Sequence, residues 1–517
     1  MAQAEPGSAE SGSADLMVFL EESLGPLPDY VLEDLQRFDL ASGQPWLITL
    51  PPISDEALFD IPPSDRFVAA SQKPEELLVA ETVPITLRQA LNRAKVTNRE
   101  IVRGGIDIDS ANTDLALSRQ DLYPQLFLDL IGGAGYEEDF FRNTDNIEAI
   151  SRNIELLGTV RYEILDNQRN PRIQQAEIQL DQSELGLRQT LINIPADVSI
   201  LYYNLQEANA FVSIALQAVA RDLGLVQDSL QRQAQGRGSN LEVERARASL
   251  QENYQRLLRD LRDQQAARFE LAEILSLYPT VLAVPAEPVD QVIEQWPSTL
   301  EETLIMAYRY RTDLRILEAD RQRLDARLAE VQNRNDPVLS VVAQGAVGPG
   351  DTTLNSGGSS STVERAGDYF VGLNLDWTLY DNNRIALDTS LVEQDLDRNI
   401  LELANLQEAI RRDVADAYYN VLANQASIES AELLVNLRSD RVQQLTQQFQ
   451  EGEDVQDELF REIDDLRDAQ INLIERILGF NRGVANLYRQ IGSSPWLNYD
   501  NFEDNPLDGF DIPRMES

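Results

Sequence analysis

With no Cys and no His among its 517 residues, the most numerous groups this chain could bring to acid–base chemistry are its carboxylates. That absence removes a structural zinc, a CxxC redox pair, a c-type haem and every His-based triad or general base. There remain 87 Asp and Glu against 44 Lys and Arg, a formal net charge of −43. Paired carboxylates can hydrolyse glycosidic bonds. Here none of them falls in a Gly-rich or loop-flanked cluster of the kind that frames a pocket, so an enzyme is not expected. The same charge opposes nonspecific nucleic-acid binding, which needs a basic face. Hydrophobic residues make up 43% of the chain, enough to build a core. Lys73 and Lys95 are the only lysines, and nothing in the sequence explains the preference for Arg.

The elements that would position such residues read as an internal repeat. Thr86-Leu87-Arg88-Gln89 and Thr299-Leu300-Glu301-Glu302 both have the form of a capping box and lie 213 residues apart. The helical patterns after them stop at Pro124 and Pro337, with the same offset. Tyr162–Asn167 and Trp377–Asn382 are offset by 215; Asp197-Val198 and Asp413-Val414, Tyr202-Tyr203-Asn204 and Tyr418-Tyr419-Asn420, and Gly236 and Gly452 by 216. Each half therefore predicts helix, strand, loop, strand, long helix, break, helix. The expected division is a proline-rich acidic extension over 1–80, a first repeat over 81–280, a linker over 281–298, a second repeat over 299–492 and an acidic tail over 493–517.

Two stretches, Asp166 to Gln235 and Asp381 to Gln450, carry little Gly, and their only prolines are Pro171 and Pro195. As helices they would each extend about 100 Å. Val198, Leu205, Val212, Val219 and Val226 recur every seven residues, as do Val414, Val421, Ile428, Val435, Val442 and Phe449. A seven-residue apolar column implies packing against neighbouring helices in a left-handed supercoil. Pro195 should kink or split the first helix, and Arg411 replaces it in the second half.

Strand patterning sits between the helices. From Asp368 to Tyr380, Val371, Leu373, Leu375, Trp377 and Leu379 alternate with Gly372, Asn374, Asp376 and Thr378. In the first half Val160, Tyr162 and Ile164 alternate with Thr159, Arg161 and Glu163. A half-apolar strand of about 9–11 residues suits an outer-membrane barrel, and it equally suits a half-buried soluble strand. Partner strands are expected over 125–131 and 338–344, with loops over 132–155 and 345–368. Four strands cannot close a barrel, whereas an oligomer can, and closure is required in lipid.

No run of 18 consecutive apolar residues occurs, so no transmembrane helix is expected. Met1–Glu5 lacks the basic and apolar regions of a signal peptide. The extension over 1–80 holds 9 of the 22 prolines and three basic against fifteen acidic residues. It and the C-terminal tail are expected to be extended or disordered along the main body.

Taken together these residues resemble the TolC-like outer-membrane efflux protein family over about 82–492. The resemblance rests on the duplicated hairpin-to-helix passages Tyr162–Asn167 and Trp377–Asn382, on Ala417-Tyr418-Tyr419-Asn420, and on Gly236 and Gly452 followed by helix restarts. It implies an α+β membrane protein and a homotrimer. Four strands per chain would join a 12-stranded outer-membrane β-barrel, with the long coiled-coil helices forming a periplasmic α-barrel. The implied function is a passive exit duct of a tripartite efflux or type I secretion system. The implied partners are a periplasmic adaptor (membrane fusion) protein, an inner-membrane RND or ABC transporter and outer-membrane lipid, with no cofactor and no metal.

The resemblance also implies a periplasmic aperture ringed by acidic side chains. Glu458 falls at its main acidic position beside Asp454 and Asp457, and three copies would favour cations. Arg461 stands where a second acidic residue is expected, within helical reach of Asp457 or Glu458. These carboxylates read equally as solvated helix surface. Gly236 and Gly452 are the implied adaptor-docking turns, and also read as helix C-cap glycines. A soluble acidic coiled-coil scaffold is the competing reading; it accounts for the heptads but not for the paired hairpins.

Overall fold

The computed structural model describes residues 28–38, 44–63, 78–139, 147–290, 296–356 and 359–497 except Gly452 and Asp454, together with Leu16, Phe19, Leu20, Leu507 and Phe510. In chain order the elements are α1 (Asp29–Gln36), α2 (Asp55–Asp60), β1 (Glu81–Ile85), α3 (Leu87–Thr97), α4 (Arg99–Gln120), β2 (Gln125–Asp139) and β3 (Ile147–Leu165). Next are α5 (Arg169–Ala234), α6 (Asn240–Ile274), β4 (Val281–Pro285), α7 (Leu300–Tyr310), α8 (Thr312–Gln332), β5 (Val338–Ser356), β6 (Ser359–Asp376), α9 (Arg384–Glu451) and α10 (Gln456–Gln490). The chain divides into two compact units. The first holds 1–105, 186–313 and 406–517; the second holds 106–185 and 314–405.

Both expected capping boxes form. The Gln89 backbone N–H donates to Thr86 Oγ1 at 3.2 Å while Gln89 Oε1 accepts from the Thr86 N–H at 3.0 Å. Thr299 and Glu302 repeat this at the start of α7. Each box satisfies two N–H groups that a helix start leaves without partners.

The first unit is built on the seven-residue columns. Val198, Leu205, Val212 and Val219 of α5 and Val414, Val421, Val435, Val442 and Phe449 of α9 are buried. Val435, Val442 and Phe449 pack on Leu459, Ile463, Leu466, Leu473 and Ile477 of α10. Val212, Leu216 and Val219 pack with Leu250, Leu257 and Leu261 of α6 and with Leu16, Leu20, Val31 and Leu35 from the N-terminal extension. An 18-residue window of α5 reaches a mean hydropathy of 1.2, but 61% of it is buried. That apolarity serves the helix core.

Pro195 does not split α5, which runs unbroken through it. A proline removes the N–H that would bind the carbonyl four residues earlier. Here that carbonyl, Leu191 O, accepts instead from Ser494 Oγ at 2.6 Å. The residue that keeps the helix intact lies 299 positions away, beyond the reach of a local pattern.

The N-terminal extension differs from expectation in part. It forms α1 and α2 and docks on the body. Arg93 of α3, almost fully buried, donates from its guanidinium to Leu58 O at 3.0 Å and Ile61 O at 2.8 Å. The Leu50 N–H donates to Ala286 O at 3.0 Å and the Ile53 N–H to Pro84 O at 2.8 Å. The C-terminal tail beyond Leu497 lies outside the described residues apart from Leu507 and Phe510.

In the second unit, β2-β3-β5-β6 form one antiparallel sheet in that order. Most of the two expected loops, 132–155 and 345–368, is strand. The ladder continues outward past the apolar band, through stretches rich in Gly, Ser and acidic residues that lack an alternating apolar pattern and are poor in strand propensity. At its other end β6 stops at Asp376, so Trp377 and Leu379 lie just beyond the ladder rather than in it. Trp377 Nε1 donates to Asn335 O at 3.1 Å, anchoring that exit. Ile164 is displaced from the pattern by an irregularity between Glu163 and Leu165, and Leu165 pairs with Leu339.

Candidate membrane-facing sheet and aperture

Residues opposite one another in an antiparallel ladder share a face, so the register divides the sheet. One face carries Leu126, Val160, Ala343 and Val371 in one row, Leu130, Leu156 and Val347 in another, and Tyr162, Val341 and Leu373 in a third. Leu165, Leu339 and Leu375 continue it. The opposite face carries Gln125, Arg161, Val342 and Gly372, then Asp129, Leu157, Ala346 and Asp368, then Glu163, Ser340 and Asn374. Val371, Leu373, Leu375, Trp377 and Leu379 are all exposed, with Leu373 at 69%. So many exposed large apolar side chains on one face mark an interaction surface. The outer edges of β2 and β6 have no strand partner among the described residues, and a long unpaired edge calls for pairing with another chain.

The expected acidic position opens α10. Asp457 takes a salt bridge from Arg245 of α6 at 2.6 Å, and Glu458 takes one from Arg441 of α9 at 2.5 Å. All four side chains are 43–63% exposed, so each pair contributes roughly 0–1 kcal/mol. Arg461 does not pair with either carboxylate as its helical spacing suggested. Its Nε donates to the Asp457 backbone carbonyl at 3.0 Å. The carboxylates are met from neighbouring helices instead, by Arg245 and Arg441, which the sequence did not single out because their closeness depends on helix pairing. Asp454 and Gly452 lie outside the described residues.

Gly236 closes α5. Its φ of +72° is left-handed, and the N–H groups of Arg237 and Gly238 donate to Arg232 O at 2.9 and 3.1 Å. That is the glycine C-cap arrangement. A Cβ at Gly236 would meet nothing within 4 Å in this chain, so the requirement for Gly here is conformational. Gly236→Ala is expected to lower stability by about 1–2 kcal/mol, read from the denaturant midpoint, with local exchange rising first at 232–238. An unchanged midpoint would remove the cap role. The two long helices also meet near this turn, where Arg232 Nη1 donates to Phe449 O at 2.9 Å and its guanidinium stacks 4.4 Å over the Phe449 ring.

Residues 90–276 match the family described as outer membrane efflux protein. No curated protein matches the sequence. Among solved structures, the chain is similar to the outer-membrane channel OprN, with a TM-score of 0.66 and 19% identity over 79% of this chain and 90% of that one. It is also similar to the CmeC outer membrane channel of Campylobacter jejuni, at 0.67 and 13% over 82% and 90%. The outer membrane protein VceC of Vibrio cholerae gives 0.62 and 14% over 79% and 96%. The fold is that of these outer-membrane channels.

Proposed function

We propose that this chain, matched by the outer membrane efflux protein family and folded as a TolC-like channel, is a passive exit duct from the periplasm across the outer membrane. The observation that carries the reading is the sheet: four strands, an apolar band across one face, and two edges with no strand partner among the described residues. Three copies closing a 12-stranded barrel would satisfy both edges and turn the apolar face to lipid. The recurring order of helix, helix, hairpin, long helix and second helix supports an internal duplication with repeats over 81–280 and 299–492. The flanks are then 1–80, 281–298 and 493–517.

In this reading the helices form the periplasmic part and the duct takes its energy from an inner-membrane RND or ABC transporter, joined through a periplasmic adaptor. Drugs, other small molecules or secreted proteins are the cargo. Gly236 and Gly452 mark the adaptor-docking turns, and export that survives bulky substitutions at both would exclude that role. Asp454, Asp457 and Glu458 line the aperture. Arg245 pairs with Asp457 and Arg441 with Glu458, so the ring is partly neutralised by its own chain.

Single-channel conductance in a planar bilayer tests the duct. The purified protein should run as a detergent-dependent trimer and conduct cations in preference to anions. Glu458→Gln should reduce that selectivity. A detergent-free monomer without conductance would mean a soluble coiled-coil scaffold.

A further inference from the structure

Within the first unit, α5 meets α6 at a buried carboxylate. Asp222 has no exposed surface. Its Oδ2 accepts from Ser249 Oγ at 2.9 Å and Asn253 Nδ2 at 2.8 Å. Its Oδ1 has no hydrogen-bond partner among the described residues. The charges around it oppose one another: Asp464 of α10 repels the ionised form and Arg221 of α5 attracts it. The Arg221 guanidinium donates to Gln217 Oε1 at 2.6 Å. Arg467 of α10 reaches Asn253 Oδ1 at 3.3 Å, but pairs with Asp464 at 2.6 Å and Asp468 at 2.9 Å. Arg256 of α6 lies 3.8 Å from Asp464. Among the described residues of the N-terminal extension, Leu16, Leu20, Val31 and Leu35 join the buried apolar cluster of α5 and α6. Asp222 is thus tied to the nearest α10 cation only through a neutral amide.

The second half solves the same junction with the opposite charge. At the offset of 216, Asp222 corresponds to Arg438, Ser249 to Asp465 and Ala246 to Glu462. Arg438 of α9 pairs with Glu462 at 2.8 Å and Asp465 at 3.0 Å, both on α10. We propose that the Asp222–Ser249–Asn253 junction is a latch that holds α5 to α6 more firmly in acid, whereas the Arg438 ion-pair junction holds α9 to α10 at neutral pH.

Burial pushes the Asp222 carboxyl above its ordinary value of 3.8, and Ser249 and Asn253 only partly offset that. A group raised on folding contributes stability that is complete below its ordinary pKa and is lost as pH rises through the raised one. Above that point the buried ionised carboxylate has one oxygen with no donor. An Arg–carboxylate pair behaves in the other sense, since only acid removes the carboxylate charge. The latch rests on the α5–α6 junction and not on the proposed duct.

Hydrogen exchange on the full-length, detergent-solubilised protein tests the latch without any conductance. Protection at 217–234 and 240–255, corrected for intrinsic rates, should be greater at pH 5 than at pH 8. Residues 430–450 of α9 should show no such gain. Asp260, further along α6, is also pushed up by burial, to about 6, so Asp222→Asn is the separating variant. It should give at pH 8 the protection that the parent shows at pH 5. If that variant does not fold, Ser249→Ala removes a donor while keeping the charge and should widen the pH difference. Equal parental protection at the two pH values, or a pH difference that persists in Asp222→Asn or fails to widen in Ser249→Ala, overturns the proposal.

Discussion

For the proposed duct, Leu373→Arg is expected to block assembly in the outer membrane. Leu373 shares a row with Tyr162 and Val341 on the apolar face and is itself exposed. A cation on the lipid face of a barrel costs about 2–4 kcal/mol near the bilayer midplane. In the proposed trimer the same cost is incurred in every copy, so the loss is roughly three times that figure. The measurement is the fraction of chain recovered as folded oligomer from membranes. Asn374→Arg supplies the control, because it places the same charge one residue along, on the polar face with Ser340 and Glu163. That variant should assemble at close to the parental level. If the two variants assemble equally well, or fail equally, the apolar face does not meet lipid.

The parts of the fold that were legible are those with a short period. The seven-residue columns predicted the buried faces of α5 and α9, and the alternation of Val371, Leu373 and Leu375 predicted an exposed apolar strand face. The capping boxes at Thr86 and Thr299 were readable because their partners lie three residues away. What sequence patterning missed depends on distant chain. Ser494 rescues the carbonyl freed by Pro195. Arg245 and Arg441 meet the acidic start of α10 from other helices. The outer halves of the hairpins were read as loops because strand pairing there is carried by the ladder and not by apolar alternation.

Paired substitution of Leu20→Glu and Leu35→Glu should release the N-terminal extension. Leu20 and Leu35 are buried against Val212, Leu216 and Val219 of α5 and Leu250, Leu257 and Leu261 of α6. Each leucine lost from such a site forfeits about 1.5–3 kcal/mol of burial. A carboxylate in its place adds an unpaired buried charge, so undocking is the cheaper outcome. Hydrogen exchange over α1 should rise to the level of an unfolded segment, and the midpoint of thermal unfolding should fall, while the sheet keeps its protection. Glu33→Ala on the exposed side of α1 should leave both unchanged. Retained protection of α1 in the double variant would mean that other contacts hold it. At the offset of 216, Leu216, Ala220, Leu223 and Tyr254 become Glu432, Asn436, Ser439 and Gln470. Val212, Val219, Leu250, Leu257 and Leu261 stay apolar there, as Ile428, Val435, Leu466, Leu473 and Ile477, so the α9–α10 pair differs at part of the ground on which the extension sits, and its face is more polar.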